Sequence, residues 1–252
     1  MLLFVVSALL LAAAPPAPPA GLSCVAKHYA VTAKQVEGAW FAELADGTRI
    51  PWDDGITKTH EEALASPDVE DIFTQPYPTG EIVPVTTVDV DPGGVRVEPI
   101  LRATYGGSAK AVEATLVPVA FAGKTLRVHP RAKAAFEAAG KRVAAVIAKD
   151  PAAAKFLEQM GGTFAWRTVA GTNRASSHSF GVSLDLNPSL GDYWRWSKNP
   201  KWTNRVPAAL VAAFEAEHFV WGGRWNHYDT MHFEWRPEID CEAAAQMPRE
   251  TP

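Results

Sequence analysis

In the second half of the chain, apolar residues follow two distinct rhythms. From His129-Pro130 onward, Ala132, Ala135, Phe136, Ala139, Val143, Val146 and Ile147 recur every three or four residues, drawing one apolar stripe along a helix. Pro130 suits the first helical turn and Asp150-Pro151 marks a stop, so a helix is expected over 130–149. Shorter helices are expected from Pro151 to Met160, closed by Gly161-Gly162, and from Pro207 to about Glu217 with Leu210, Val211 and Phe214 inward. The period of two is seen in Val182, Leu184 and Leu186, which leave Ser183, Asp185 and Asn187 on the opposite face of a strand. It returns in Met231, Phe233 and Trp235, with His232 and Glu234 opposite.

Two hairpins are expected upstream. In one, Val85, Val88 and Val90 lead into Asp91-Pro92-Gly93-Gly94, and Val95, Val97 and Ile100 follow. The other joins Leu116–Phe121 to Leu126 and Val128 across Gly123. Residues 25–80 carry mainly turn signals, such as Asp53-Asp54-Gly55, and one short helical candidate around His60 to Ala65. Together these elements describe an α+β protein with a small antiparallel sheet and helices on one side.

Composition narrows the class. A chain of 252 residues, 47% hydrophobic and 21% charged, can bury a sizeable core. A net charge of -4 without a long basic run excludes nucleic acid as a partner. The apolar run Leu2–Ala14 is too short to span a bilayer and matches the hydrophobic part of a secretory signal. Residues 1–23 are therefore expected to be a signal peptide. The mature chain should be exported to the periplasm or cell envelope, without a transmembrane span and as a monomer. Gly21-Leu22-Ser23 before Cys24 also nearly matches a lipoprotein site, which would anchor the chain through Cys24. Alternatively Cys24 pairs with Cys241, the other cysteine, in an oxidising compartment. Neither cysteine has metal-ligand spacing, which excludes thiolate zinc.

Three side chains stand out chemically. Asp185 projects from the polar face of its strand, His178 precedes that strand across Gly181, and His232 lies on the polar face of the second strand. Setting the strands side by side brings all three together. Two imidazoles and a carboxylate leave a fourth position open, as in catalytic zinc sites. Hydrolysis also needs a base, for which Asp229 is a candidate and Glu234 a competitor. Asp229 reaches the face of His232 only if the chain bends near Tyr228–Thr230. Each histidine taken alone is more often structural than a ligand.

The segment Ser176-Ser177-His178-Ser179-Phe180-Gly181-Val182-Ser183-Leu184-Asp185 resembles the Ser-x-His-x-x-Gly-x-Ala-x-Asp signature of the D-alanyl-D-alanine carboxypeptidase and L-alanyl-D-glutamate endopeptidase family. Gly222-Gly223-Arg224-Trp225 through Asp229-Thr230-Met231-His232-Phe233-Glu234 resembles that family's second motif. The resemblance covers roughly residues 160–238. It implies the fold shared with lysostaphin and the hedgehog signalling domain, one zinc ion on His178, Asp185 and His232, and Asp229 as catalytic base. Its implied substrate is a peptidoglycan stem peptide. Ser183 stands where the family often has Ala, and Asp229 replaces the Glu of the dipeptidase and carboxypeptidase branches, a lean towards the endopeptidase branch. Family members use an Arg ahead of the first His to grip a substrate carboxylate, a role open to Arg167 or Arg174.

On this reading residues 126–240 form the zinc peptidase region, residues 24–125 an N-terminal region of unassigned role, and 241–252 a tail. Ser177 is a further substrate or ligand contact, or a turn residue. Trp221 and Trp225 read equally as cleft wall or core. His28, His60, His129 and His218 show no partner pattern. A non-catalytic zinc-containing cell-wall binding module and a zinc amidase are the competing functions.

Overall fold

The computed structural model describes residues 16–239 and 241. The expected signal run at Leu2–Ala14 and nearly all of the tail lie outside the described residues. The first element is α1 (Ala20–His28), which buries Leu22, Cys24 and Val25. The 1–23 boundary therefore falls inside a helix whose Leu22 is part of the core. A three-stranded antiparallel sheet follows, formed by β1 (Thr32–Val36), β2 (Ala39–Glu43) and β3 (Arg49–Pro51). The pattern gave no sign of this sheet. Its strands are short and half-exposed, and its first turn uses Glu37-Gly38, both with positive φ, in place of the stronger Asn-Gly signal.

Next come α2 (His60–Ala65), closed at its start by a Thr59/Glu62 capping box, then α3 (Glu98–Tyr105) and α4 (Ala109–Thr115). The hairpin expected around Asp91–Gly94 does not form. Val85–Val97 runs as irregular chain, because its carbonyls are taken by side chains rather than by a strand. Arg236 donates to Gly93 and Val95 oxygens, each at 2.8 Å, and Trp225 Nε1 to the Pro92 oxygen at 2.8 Å. Asn226 donates its backbone N–H to the Val90 oxygen and its amide to that of Val85.

The second expected hairpin is present as β4 (Val117–Phe121) and β5 (Lys124–Val128), and it straddles residue 126. The long helix is present as α5 (Lys133–Lys149), entered through a 3-10 turn at Pro130–Ala132. The expected 151–160 helix is a 3-10 helix over Pro151–Leu157. The last elements are β6 (Ser183–Asp185), α6 (Ala208–Glu215), β7 (Phe219–Trp221) and β8 (His232–Trp235). The latter three strands form one antiparallel sheet in the order β6-β8-β7.

One face of that sheet is greasy. Phe233 stacks on Phe214 of α6 at 4.1 Å, and Phe219 meets Phe136 of α5 edge-on at 4.9 Å. Helices thus cover one side, in keeping with the α+β reading. A single apolar cluster joins Leu22, Val25, Ile50 and Phe73 to Phe136, Leu184 and Phe233, so the N-terminal region shares the core of the C-terminal sheet. Cys24 and Cys241 are joined by a disulfide with Cα atoms 6.2 Å apart, which leaves no thiol on Cys24 for a lipid. Among the described residues no helix is long and apolar enough to cross a membrane.

Candidate metal centre

The face of the β6-β8 pair turned away from those helices carries the polar side chains. The register sets Asp185 directly opposite His232, which makes them a cross-strand pair. His178 arrives from a 3-10 turn, Ser177–Phe180, ended by Gly181 at φ +66°. A Cβ at Gly181 would adopt a disfavoured backbone and stand 2.6 Å from Leu116 Cδ2, so this turn needs glycine. His232 follows a turn in which its N–H donates to the Asp229 oxygen at 3.1 Å. That turn is the bend required to bring Asp229 beside the strand's polar face.

Three ligating atoms converge. His178 Nε2 is 3.1 Å from Asp185 Oδ1 and 3.2 Å from His232 Nδ1, and His232 Nδ1 is 2.9 Å from Asp185 Oδ1. Tetrahedral zinc with ligands at 2.0–2.1 Å sets them about 3.3 Å apart, so the triangle fits that ion with small adjustments. Burial would raise Asp185, but hydrogen bonds and charge from His178 and His232 outweigh it and hold the carboxylate well below its usual range.

His232 is aimed by the groups behind it. Its Nε2 lies 3.1 Å from Glu234 Oε2 and 3.3 Å from Ser177 Oγ, so with its proton on Nε2 the ring turns the Nδ1 lone pair towards His178 and Asp185. Glu234 is fully buried and held by Arg96, which bonds through Nε at 2.9 Å and through Nη2, and by Arg236 Nη1 at 3.0 Å. Burial opposes its charge, yet these cations keep it well below the usual carboxylate range. The oxygens of Glu234, the competing candidate for the base, are thus spent on two arginines and on His232 Nε2. Arg236 continues to Glu238, which accepts from the Tyr29 hydroxyl. Neither Arg96 nor Tyr29 carries a sequence signal, because only tertiary folding brings them here. Replacing Arg96 by Ala should weaken zinc affinity about 10–100-fold, as for other groups that orient ligands, measured by competition with a chelator.

Asp229 is half-buried, and its Oδ1 is shielded from solvent with no hydrogen-bond partner among the described residues. Burial, aided by the charge of Asp185, pushes its carboxyl up to about 7 against the pull of His232 and Arg167. Such a value suits proton transfer near neutral pH. Arg167 is exposed. Its backbone is pinned by Ser179, whose Oγ accepts from Arg167 N at 3.0 Å and donates to Arg167 O at 2.8 Å. Arg174 is half-buried without a side-chain partner among the described residues, and burial beside Arg96 lowers it to about 10. Arg174, but not Arg167, lines a cavity of about 230 Å³ together with Arg96, Glu98 and Ala175.

Ser177 is buried against His232. The two tryptophans divide. Trp221 is fully buried and donates Nε1–H to the Thr230 oxygen, whereas Trp225 is half-buried with its ring 5.9 Å from that of His232.

Residues 170–235 match the family model described as D-alanyl-D-alanine carboxypeptidase. The match takes in His178, Asp185, His232, Asp229 and both strands that pair across the site. No curated protein and no solved structure matches the chain.

Sequence order hides one further constraint. Gly161 donates its N–H to the Asp185 oxygen at 2.9 Å, and a Cβ there would stand 2.9 Å from Asp185 Cβ and 3.4 Å from Oδ2. Gly161→Ala should displace the ligand carboxylate and lower bound zinc while the far-ultraviolet circular dichroism stays native. Full zinc retention would show that the 161 loop yields instead.

Proposed function

We propose that this chain is an exported zinc metallopeptidase that hydrolyses a peptide bond in peptidoglycan stem peptides, as a D-Ala-D-Ala carboxypeptidase or an L-Ala-D-Glu-type endopeptidase. The observation that carries this reading is the triangle of His178 Nε2, Asp185 Oδ1 and His232 Nδ1, each side between 2.9 and 3.2 Å. The match of residues 170–235 to a carboxypeptidase family supports it.

His178, Asp185 and His232 would hold one zinc ion. Bound there, zinc supplies Lewis acidity, lowering the pKa of coordinated water towards about 7 and polarising a carbonyl oxygen. Asp229 acts beside it as general base and then acid, taking a proton on its unpartnered Oδ1 and returning it to the leaving amine. Glu234, fixed by Arg96 and Arg236, keeps the His232 ring in the ligating orientation throughout. Arg174 and Arg167 offer guanidinium groups free of carboxylate partners among the described residues, suited to a bidentate grip on a substrate carboxylate. Trp225 forms an apolar wall of the site, next to the metal ligands.

Digestion of defined muropeptides, followed by mass spectrometry, tests the substrate. Loss of the terminal D-Ala or an internal cut in the stem supports the proposal and chooses between its two forms. Release of the intact stem from the sugar would instead identify an amidase. Zinc binding with no cleavage of any muropeptide would leave a binding module.

A further inference from the structure

His60 opens α2 and His227 lies two residues before Asp229, with 166 positions between them. Their rings stack with centroids 5.8 Å apart and planes within 6° of parallel. Both turn a nitrogen to one oxygen: His60 Nε2 is 3.0 Å and His227 Nδ1 2.7 Å from Asp91 Oδ2. Asp91 Oδ1 accepts the His227 backbone N–H at 3.0 Å, which locks the carboxylate in place.

Asp89 completes the group. Its backbone lies in the left-handed region at φ +62°, a conformation that costs energy for any residue with a side chain. Gln75 holds it there, donating Nε2–H to the Asp89 oxygen at 2.8 Å and accepting the Asp91 N–H at 2.6 Å. As a result, one ligating atom from each of His60, Asp89 and His227 lies within 4.8 Å of the others.

We propose that His60, Asp91 and His227, with Asp89 beside them, form a second site for a divalent ion of the zinc class. One imidazole would be enough to satisfy Asp91. Two stacked imidazoles plus a second carboxylate, gathered from three distant segments, make a ligand set. Mixed nitrogen and oxygen donors suit zinc and its transition-metal neighbours rather than calcium or magnesium. His227 is half-exposed, with Trp194 edge-on at 4.6 Å, so the site has a route from solvent. An ion here would clamp α2 and the 89–91 loop to the segment that leads into Asp229. The site shares no ligand with the His178 triangle and does not depend on the peptidase reading.

Full-length protein stripped by a chelator, reloaded with Zn2+ and desalted should carry two ions by elemental analysis. His178→Ala and His227→Ala should each carry one, and the double variant none. Asp89→Asn changes an exposed side chain and provides a variant safe for folding. It should weaken the second ion about tenfold or more in a chelator titration. A wild-type chain with a single ion, lost in His178→Ala and kept in His227→Ala, overturns the second site and leaves the first intact. Retention of two ions by a natively folded His227→Ala overturns it as well. A single ion kept in His178→Ala and lost in His227→Ala upholds the second site while rejecting the triangle.

Discussion

Asp229→Asn should cut hydrolysis of a stem peptide by about 10²- to 10⁴-fold while the bound metal stays at its wild-type level. The change is isosteric and leaves the turn that presents His232 in place, since that turn uses the Asp229 backbone oxygen. What is lost is a carboxylate that burial has pushed up to about 7. The direction of the pH effect follows. The base works only when ionised, so activity should fall as pH drops through this value. A nearby divalent cation favours the charged form, which moves that limb to pH 7 or below. In Asp229→Asn the acid limb should disappear from the residual rate. Wild-type turnover in the variant, with the limb intact, would transfer the base role to another group.

The second large effect concerns stability. Reduction, or Cys24→Ser, should destabilise the fold by about 5 kcal/mol, because the bridge closes a loop with a sequence separation of 217. Urea unfolding of oxidised and reduced protein measures the difference. A loss below about 1 kcal/mol would mean that α1 is held by its buried Leu22 and Val25 alone, with the ends already close in the unfolded chain. Non-reducing mass spectrometry of the intact protein checks the Cys24–Cys241 bridge.

Two of the converging side chains, Asp185 and His232, were legible because each sits in a short segment whose own pattern aims it. Alternation puts Asp185 and His232 on the polar faces of their strands, and the antiparallel register then sets them opposite each other. The groups that hold those side chains in place were not legible. Arg96 lies in a stretch whose valines alternate like a strand, yet its carbonyls are claimed by Arg236, Trp225 and Asn226, side chains more than 120 positions away. His60 has no partner within its own segment and acquires Asp91 only when the chain folds. Glu234 shares a strand face with His232, which made it look like a base, and only its two arginines reveal an anchoring role. Ser183 is fully buried, and its hydroxyl has no partner among the described residues.

The polar ladder that runs from His232 through Glu234 and Arg236 to Glu238 ends on Tyr29, at the C-terminal edge of α1, and takes a side support from Arg96. Residues 170–235 therefore do not form a transplantable module. Grafted onto a foreign scaffold, the segment would keep Glu234 behind His232 but lose Arg96 and Arg236, the cations that fix Glu234. Any minimal version of this protein has to carry the segments that hold Tyr29 and Arg96 along.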